Sequence, residues 1–147
     1  MTGPAMPRVD FYILASAGET SRQVFACRLA EKAYRLQNTV HILAADRQQA
    51  QHLDESLWTF RDSSFVPHEV VGTDSETGGA PVTIGVGTAE LRPANLLINL
   101  TDGVPEGLES FPRVAEIVTS DEDCKRKSRR RFADYRSRGH DPQIHEL

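Results

Sequence analysis

Three residues near the end of the chain combine positive charge with an aromatic ring. Lys125, Arg129 and Phe132 are separated by four and then three residues, a spacing that places them on one face of a helix. On such a face a guanidinium can pair with a carboxylate while an apolar side chain packs against the ring. The spacing indicates a site for an anionic ligand with an apolar group. The alternative is a solvated basic face with Phe132 docked in the core.

This face lies in the most basic segment of the chain. The 147 residues carry a net charge of −4, whereas residues 125–138 (KRKSRRRFADYRSR) contain eight Lys or Arg and one Asp, a net +7. The rest of the chain therefore carries −11. A concentrated basic segment on an acidic protein predicts a localised anionic partner, which could be a phosphate backbone, an acidic peptide or an acidic protein face.

A second candidate surface follows a polar helix, in the segment LDESLWTFRDSSFVPHEV (residues 53–70). Trp58 lies roughly 100° from the centre of the apolar stripe of its helix, which places it at the margin of the core. Phe65 and Pro67 follow in a loop that Pro67 stiffens. These three residues are candidates for a protein interface, where Trp is enriched. The alternative is that they cap the edge of the core.

Motifs for nucleotide, metal or nucleophilic chemistry are not found in the sequence. There is no G-x-x-x-x-G-K-[ST], and Gly85-Val86-Gly87 supplies only two of the three glycines of a dinucleotide fingerprint, so we interpret it as a turn. None of the five histidines has a metal-ligand spacing. Cys27 lies beside the apolar stripe of a predicted helix and is expected in the core. We predict no catalytic residues, no metal and no cofactor.

The elements that position these residues follow from hydrophobic periodicity. Predicted strands cover residues 9–15, 39–45, 81–86, 95–100 and 114–119. Predicted helices cover residues 22–36, capped by Thr20 or Ser21, a segment capped by Asp46, and residues 120–138. Strands and helices that alternate over short links predict a mostly parallel α/β sheet flanked by helices, a nucleotide-binding-like fold without a phosphate-binding loop.

Length predicts one domain, which we place at residues 1–139, followed by a flexible C-terminal tail at residues 140–147 that includes His140 and His145. No apolar run approaches the ~20 residues of a membrane span, and the N-terminus lacks the pattern of a signal peptide. We therefore expect a cytoplasmic protein that does not enter a membrane. In that compartment Cys27 and Cys124 are expected to be thiols.

Six segments resemble, in order and spacing, the chi subunit of bacterial DNA polymerase III holoenzyme. They are VDFYIL, LDESLW, SFVPHEV, GGAPVTI, LLINL and RFADYR, and the cysteine of the first helix also matches. The resemblance spans residues 9–139. It implies an α/β fold without a phosphate loop and a non-catalytic accessory role in the clamp-loader assembly. It also implies two partners: the acidic C-terminal tail of the single-stranded DNA-binding protein, with its Pro-Phe-type tip, and the psi subunit.

The resemblance also implies which residues bind these partners. The residues that bind the acidic tail in the family fall on Val118, Lys125, Arg129 and Phe132, with Trp58 also implicated in this binding. Arg129 would pair with the terminal carboxylate of the tail, and Phe132 and Val118 would wall the pocket for the aromatic tip.

The psi-facing surface that the resemblance implies falls on Phe65 and Pro67. Two positions of the basic helix depart from the family pattern, since Phe132 stands where many members have Tyr and Ala133 stands where Lys is common.

Two alternatives stay open at this point. The first is a direct single-stranded nucleic-acid binder, with Phe132 and Tyr135 as stacking groups on the basic helix. The second is a degenerate nucleotide-binding enzyme. The charge of −11 outside residues 125–138 opposes a nucleic-acid groove beyond that helix, so little direct DNA binding is expected.

Overall fold

The computed structural model describes residues 6–59, 66–72 and 79–147. Within these ranges seven strands form one sheet, and three α-helices flank it. The strands are β1 (Arg8–Ile13), β2 (Val40–Ala44), β3 (His68–Val70), β4 (Val82–Val86), β5 (Leu96–Asn99), β6 (Arg113–Val118) and β7 (Gln143–Glu146). The helices are α1 (Glu19–Arg35), α2 (Arg47–Thr59) and α3 (Glu122–Ser137), and 3-10 turns occur at Thr88–Glu90 and Leu108–Ser110. The predicted α/β fold is confirmed.

The strands lie in the order β3-β4-β2-β5-β6-β1-β7, and every neighbouring pair is parallel. A parallel sheet needs cover on both faces, which its crossover helices provide. Accordingly, all five residues of the interior strand β2 are buried. The order also places β3 and β7 at opposite edges of the sheet, so candidate residues beside β3 lie far from those beside β7.

Two apolar cores lie on the two faces of the sheet. On one face Ala26 of α1 and Leu53 of α2 pack with Ile42 of β2. On the other face Phe11 of β1 packs with Tyr135 of α3. Because side chains alternate along a strand, β1, β2, β5 and β6 contribute to both cores, and α3 covers the second face on the β1 side of the sheet.

The helix starts agree in part with the sequence. Asp46 caps α2 as predicted, since its Oδ1 accepts the backbone N–H of Gln49 at 2.8 Å. The predicted cap of α1 by Thr20 or Ser21 is wrong, because the N-cap residue is Gly18, at φ 96°. Its backbone N–H donates instead to Oδ2 of Asp121, at 2.8 Å. No side chain caps α1, and a hydrogen bond to a residue far along the chain leaves no local sequence signal.

The C-terminal segment differs from its prediction. Gln143–Glu146 form strand β7, which pairs in parallel with β1, so the prediction of a tail apart from the sheet is wrong for these residues. His145 Nε2 lies 2.8 Å from Oδ1 of the buried Asp10, and its ring stacks on Tyr12 at 5.1 Å between centroids. Short edge strands such as β3 and β7 carry too few apolar positions for a period to be visible.

The interpretation of Gly85-Val86-Gly87 as a turn is wrong for its first two residues, because Gly85 and Val86 are the last residues of β4 and pair with β2. Gly87 lies beyond the strand, and the backbone N–H of Val86 donates to Oε1 of Glu90 at 2.7 Å. The placement of Cys27 in the core is confirmed. Cys27 is fully buried, and burial raises the pKa of its thiol to about 12. In the ranges given above, no helix is long and apolar enough to cross a membrane.

His41 is a core residue. It is fully buried in β2, with Nδ1 2.7 Å from Oγ1 of Thr83. Burial, with a smaller effect of Arg92, lowers the pKa of His41 to about 4. The folded protein therefore holds this imidazole neutral at pH values where an unfolded chain would protonate it.

We predict that His41 makes the protein less stable in mild acid. Between pH 6.5 and 4 the unfolded chain binds a proton at His41 that the folded chain does not, so the free energy of unfolding should fall by up to ~3 kcal/mol from this group. Urea unfolding across this range should show a shallower pH dependence for His41→Gln than for the natural sequence. His52→Gln, at an exposed position, is the control. Equal pH slopes for His41→Gln and the natural chain would contradict the prediction.

Candidate functional site

A pocket of about 350 Å³ opens between α3 and the edge of the sheet formed by β6, β1 and β7. It is lined by Phe11, Ile13, Val118, Lys125, Ser128, Arg129, Phe132, Ile144 and Glu146. Its walls are largely apolar, and α3 contributes two cations. The structure thus brings together four residues predicted for tail binding: Val118, Lys125, Arg129 and Phe132.

The strand ends and α3 build the apolar part of this pocket. Val118 is the last residue of β6 and is buried, while Phe11 lies on the neighbouring strand. The ring of Phe132 packs on Phe11 with centroids 5.3 Å apart at an interplanar angle of 59°. This tilted pair leaves Phe132 half-buried, and the rest of its surface lines the pocket.

The two cations of the pocket differ in their neighbours. Lys125 Nζ lies 3.9 Å from Oε1 of Glu122, a long and exposed pair. Arg129 is exposed, and among the described residues no carboxylate lies within 4.0 Å of its guanidinium. The charge of Arg129 is therefore available to a ligand.

Beneath α3, Glu116 of β6 is a fully buried carboxylate. Its Oε1 accepts from Arg131 Nε at 2.9 Å, and its Oε2 accepts from Tyr135 Oη at 2.7 Å and from Asn99 Nδ2 at 2.8 Å. Burial raises the pKa of Glu116, and the charge of Arg131 acts in the opposite direction. Burial and the neighbouring Glu116 also raise the pKa of the Tyr135 hydroxyl.

Because of this network and nearby ion pairs, only some cations of the basic segment can bind a partner. Arg131 is 3% exposed and neutralises Glu116, so its charge does not reach a partner. Other cations of α3 lie near carboxylates: Arg126 near Asp123, Lys127 near Asp102 and Asp123, and Arg138 near Asp134. Tyr135 is fully buried, so its suggested role as a stacking group for nucleic acid is wrong.

Trp58 lies at the other edge of the sheet. It is 59% exposed at the end of α2, and its ring meets that of His68 in β3 with centroids 5.2 Å apart. Because β3 and β7 are opposite edges, Trp58 does not line the pocket beside α3, and the structure separates it from the other four residues predicted for tail binding. Pro67 is half-buried immediately before β3, on the Trp58 side. Phe65 lies outside the described residues.

The carboxyl ends of β1, β5 and β6 border a second, polar pocket of about 380 Å³, lined by Glu19, Arg22, Asp102, Thr119, Asp121, Asp123, Cys124, Lys127 and Arg131. This is where α/β folds hold the phosphates of nucleotides. Here Lys127 Nζ lies 3.4 Å from carboxylate oxygens of both Asp102 and Asp123 and lowers the pKa of Asp123. The hydrogen bond from Gly18 lowers the pKa of Asp121. Four acidic side chains oppose a phosphate, which disfavours the degenerate nucleotide-binding enzyme.

No cluster of three or more His, Cys, Asp or Glu suited to a metal ion occurs in the described parts of the chain.

Sequence reasoning missed five residues of the α3 pocket: Phe11, Ile13, Ser128, Ile144 and Glu146. Phe11 and Ile13 are two apart on a predicted strand, so they share a face, and this signal was available. Ile144 and Glu146 could be placed only once β7 was known to pair with β1.

Taken together, the fold and the pocket define an α/β domain of the nucleotide-binding type that offers an apolar, cationic pocket at its sheet edge. The family model described as "DNA polymerase III chi subunit, HolC" matches residues 6–143. The chain is 42% identical over 142 residues to DNA polymerase III subunit chi of Pseudomonas aeruginosa, covering 97% of this chain and 98% of the relative. It is 30% identical over 141 residues to the Escherichia coli subunit, covering 91% and 94%. The chain belongs to the family of DNA polymerase III chi subunits, non-catalytic accessory subunits of the replicative polymerase.

Solved structures outside the family share the fold. T4 UvsW matches 95% of this chain with a TM-score of 0.68 at 8% identity, and a DEAD box protein from Methanococcus jannaschii matches 95% with a TM-score of 0.60 at 12% identity. The chain spans 41% and 42% of those two chains. At such identities the likeness concerns the fold alone.

We predict that removing Arg131 destabilises the protein far more than removing its neighbour Arg130. Arg131→Met leaves Glu116 buried without its charge partner, which should cost about 3 kcal/mol in the free energy of unfolding. Arg130→Met, at an exposed position, should change it by less than about 0.5 kcal/mol. Urea titration followed by circular dichroism measures both.

The double variant Glu116→Gln with Arg131→Met tests the cause. It leaves no buried charge, so it should be more stable than Arg131→Met alone. Equal losses for the two arginine variants, or no recovery in the double variant, would show that the ion pair does not hold α3.

Proposed function

We propose that this chain links the clamp-loader assembly of DNA polymerase III to single-stranded DNA-binding protein by binding the acidic C-terminal tail of that protein. The observation that carries the proposal is Arg129, a cation without an acidic partner among the described residues, at the rim of an apolar pocket. Such a role places the protein in the bacterial cytoplasm.

The pocket suits a peptide end that is both charged and apolar. A terminal carboxylate can accept hydrogen bonds from the guanidinium of Arg129, and such charge-assisted bonds are the stronger ones. The last side chain would then enter the space between Phe132, Val118 and Phe11. Aromatic contacts of this kind contribute packing and edge-to-face attraction. A carboxylate alone would contact only the cationic rim of the pocket, and an apolar side chain alone would contact only its apolar walls.

Phe132 contributes packing to this binding, and Lys125 contributes electrostatic attraction. Phe132 has no hydroxyl, so it contributes by packing, and orientation of the ligand depends on Arg129. Lys125 is partly exposed beside Glu122, so its attraction for acidic residues is screened by salt. We therefore expect tail affinity to fall as ionic strength rises.

Direct binding of single-stranded nucleic acid is the less favoured alternative. Stacking of bases needs exposed aromatic rings on a cationic groove. In α3, Tyr135 is buried and Phe132 packs on Phe11. Several cations of the helix already lie beside carboxylates, which reduces the charge available to a phosphate backbone.

We predict that Arg129→Ala weakens binding of an acidic peptide ending in Asp-Ile-Pro-Phe by at least about tenfold, because it removes the charged partner of the terminal carboxylate. Arg130→Ala is the matched control, since it removes an equal charge from the next residue. Fluorescence anisotropy of the labelled peptide measures both variants, with labelled oligo-dT titrated in parallel.

Two results would count against tail binding. One is equal affinity of the peptide for Arg129→Ala and the natural chain. The other is binding of oligo-dT without binding of the peptide, which would assign the basic helix to nucleic acid.

A second partner surface is proposed at the opposite sheet edge. Trp58 is 59% exposed beside His68, and Pro67 precedes β3 on the same side. A large exposed aromatic next to a stiff segment is typical of an interface hot spot. The family resemblance makes the psi subunit the partner to test here, and it assigns Phe65 of the sequence to the same partner.

We predict that Trp58→Ala weakens binding to a purified psi subunit by at least about tenfold, the usual range for a hot-spot Trp. Its effect on the tail peptide should be small, because Trp58 and α3 lie at opposite edges of the sheet. Leu36→Ala, which truncates another large residue that is 66% exposed, is the control. Isothermal titration calorimetry measures both partners, and a loss of tail binding without a loss of psi binding would contradict the assignment.

A further inference from the structure

We propose that the acidic stretch of a bound tail leaves the pocket along α3 toward Arg136, and that Glu146 of β7 keeps it away from the other end of the pocket. This inference rests on the proposed tail binding. It assigns Arg136 and Glu146 opposite effects on the affinity for an acidic peptide.

Arg136 extends the cationic line of the pocket. Lys125, Arg129, Phe132 and Arg136 follow the spacing i, i+4, i+7 and i+11, which keeps them within about 60° of one another around the helix. Arg136 is exposed, and in the described ranges no carboxylate lies within 4.0 Å of it.

The distance between the two arginines fits an extended peptide. Seven residues of helix separate the backbone positions of Arg129 and Arg136 by about 10 Å along the axis. About three residues of extended chain span that distance. A peptide whose carboxylate is at Arg129 can thus bring acidic residues a few positions upstream near Arg136.

The opposite end of the pocket carries Glu146, a carboxylate that no described cation approaches within 4.0 Å. β6 and β7 are both parallel to β1, so α3, which connects them, runs back against the strand direction. The end of β7 therefore lies beside the start of α3, where Glu146 and Lys125 line the same pocket. The first-turn carboxylates Glu122 and Asp123 lie near Lys125, Arg126 and Lys127, whereas Glu146 has no cation within 4.0 Å among the described residues. Glu146 therefore opposes the attraction of Lys125 for an anionic segment at this end.

The position of Glu146 is fixed by its neighbours in the chain. The backbone N–H of Leu147 donates to the carbonyl of Ile13 at 3.0 Å. On the other side, His145 is bonded to Asp10 and stacked on Tyr12. The residues before and after Glu146 are therefore both held by contacts to β1 or its side chains, which fixes the backbone that carries the Glu146 carboxylate.

The test compares two peptides with the same Asp-Ile-Pro-Phe end. One has acidic residues upstream, and in the other those residues are replaced by Asn and Gln. Each is titrated by fluorescence anisotropy, at low and at physiological salt, against the natural chain and four variants: Arg136→Ala, Glu146→Gln, and the distant controls Arg28→Ala on α1 and Glu55→Gln on α2.

We expect Arg136→Ala to weaken binding of the acidic peptide by about three- to five-fold, the range for one exposed charge. Glu146→Gln should strengthen it by about two-fold. Both effects should shrink at physiological salt and with the neutral peptide, and neither control should reproduce them.

Two failures can be told apart. If Arg129→Ala abolishes peptide binding but Arg136→Ala behaves like Arg28→Ala, the path along α3 is wrong while tail binding stands. If Glu146→Gln weakens binding of the acidic peptide, the proposed repulsion is wrong. If the natural chain binds neither peptide, the proposed function itself fails.

Discussion

The buried ion pair between Arg131 and Glu116 holds α3 against the sheet, and the pocket depends on it. Glu116 also accepts hydrogen bonds from Tyr135 and Asn99, so three elements share one carboxylate. A buried charge tolerates few arrangements, because any shift that separates the partners leaves it unpaired. Residues two apart on a helix point in nearly opposite directions. Anchoring Arg131 in the core therefore turns Arg129 outward, where a ligand can reach it.

The same fold carries different functions because binding sites are local features. In this chain the crevice at the carboxyl ends of the strands has acidic side chains where a nucleotide-binding protein needs hydrogen-bond donors to the phosphates. Lys127 lies between two of these acidic side chains. The apolar pocket lies instead at the edge of the sheet, beside β1 and β7. A fold shared at 8% identity with T4 UvsW thus says nothing about nucleotide use here.

The sequence predicted the features that depend on a single helix or strand and on its hydrophobic period. The alternation of strands and helices indicated the parallel sheet, and the spacing of Lys125, Arg129 and Phe132 indicated one helix face. It could not separate Arg131 from the neighbouring arginines, because only the position of Glu116 on a different strand distinguishes them. It also grouped Trp58 with Val118, Lys125, Arg129 and Phe132 as predicted tail-binding residues, since the order of strands in the sheet, which separates Trp58 from them, is not a local property.

The charge that a partner meets is smaller than the composition of α3 suggests. Arg131 is internal, and several other cations lie near carboxylates, so Arg129, Arg130 and Arg136 are the arginines left to outside anions. Exposed charges act over only about 8 Å at physiological salt, on a chain that is otherwise acidic. A polyanion without an apolar group would therefore gain little here. A ligand must also fill the apolar pocket, and that requirement favours a peptide with an apolar end over a plain polyanion such as DNA.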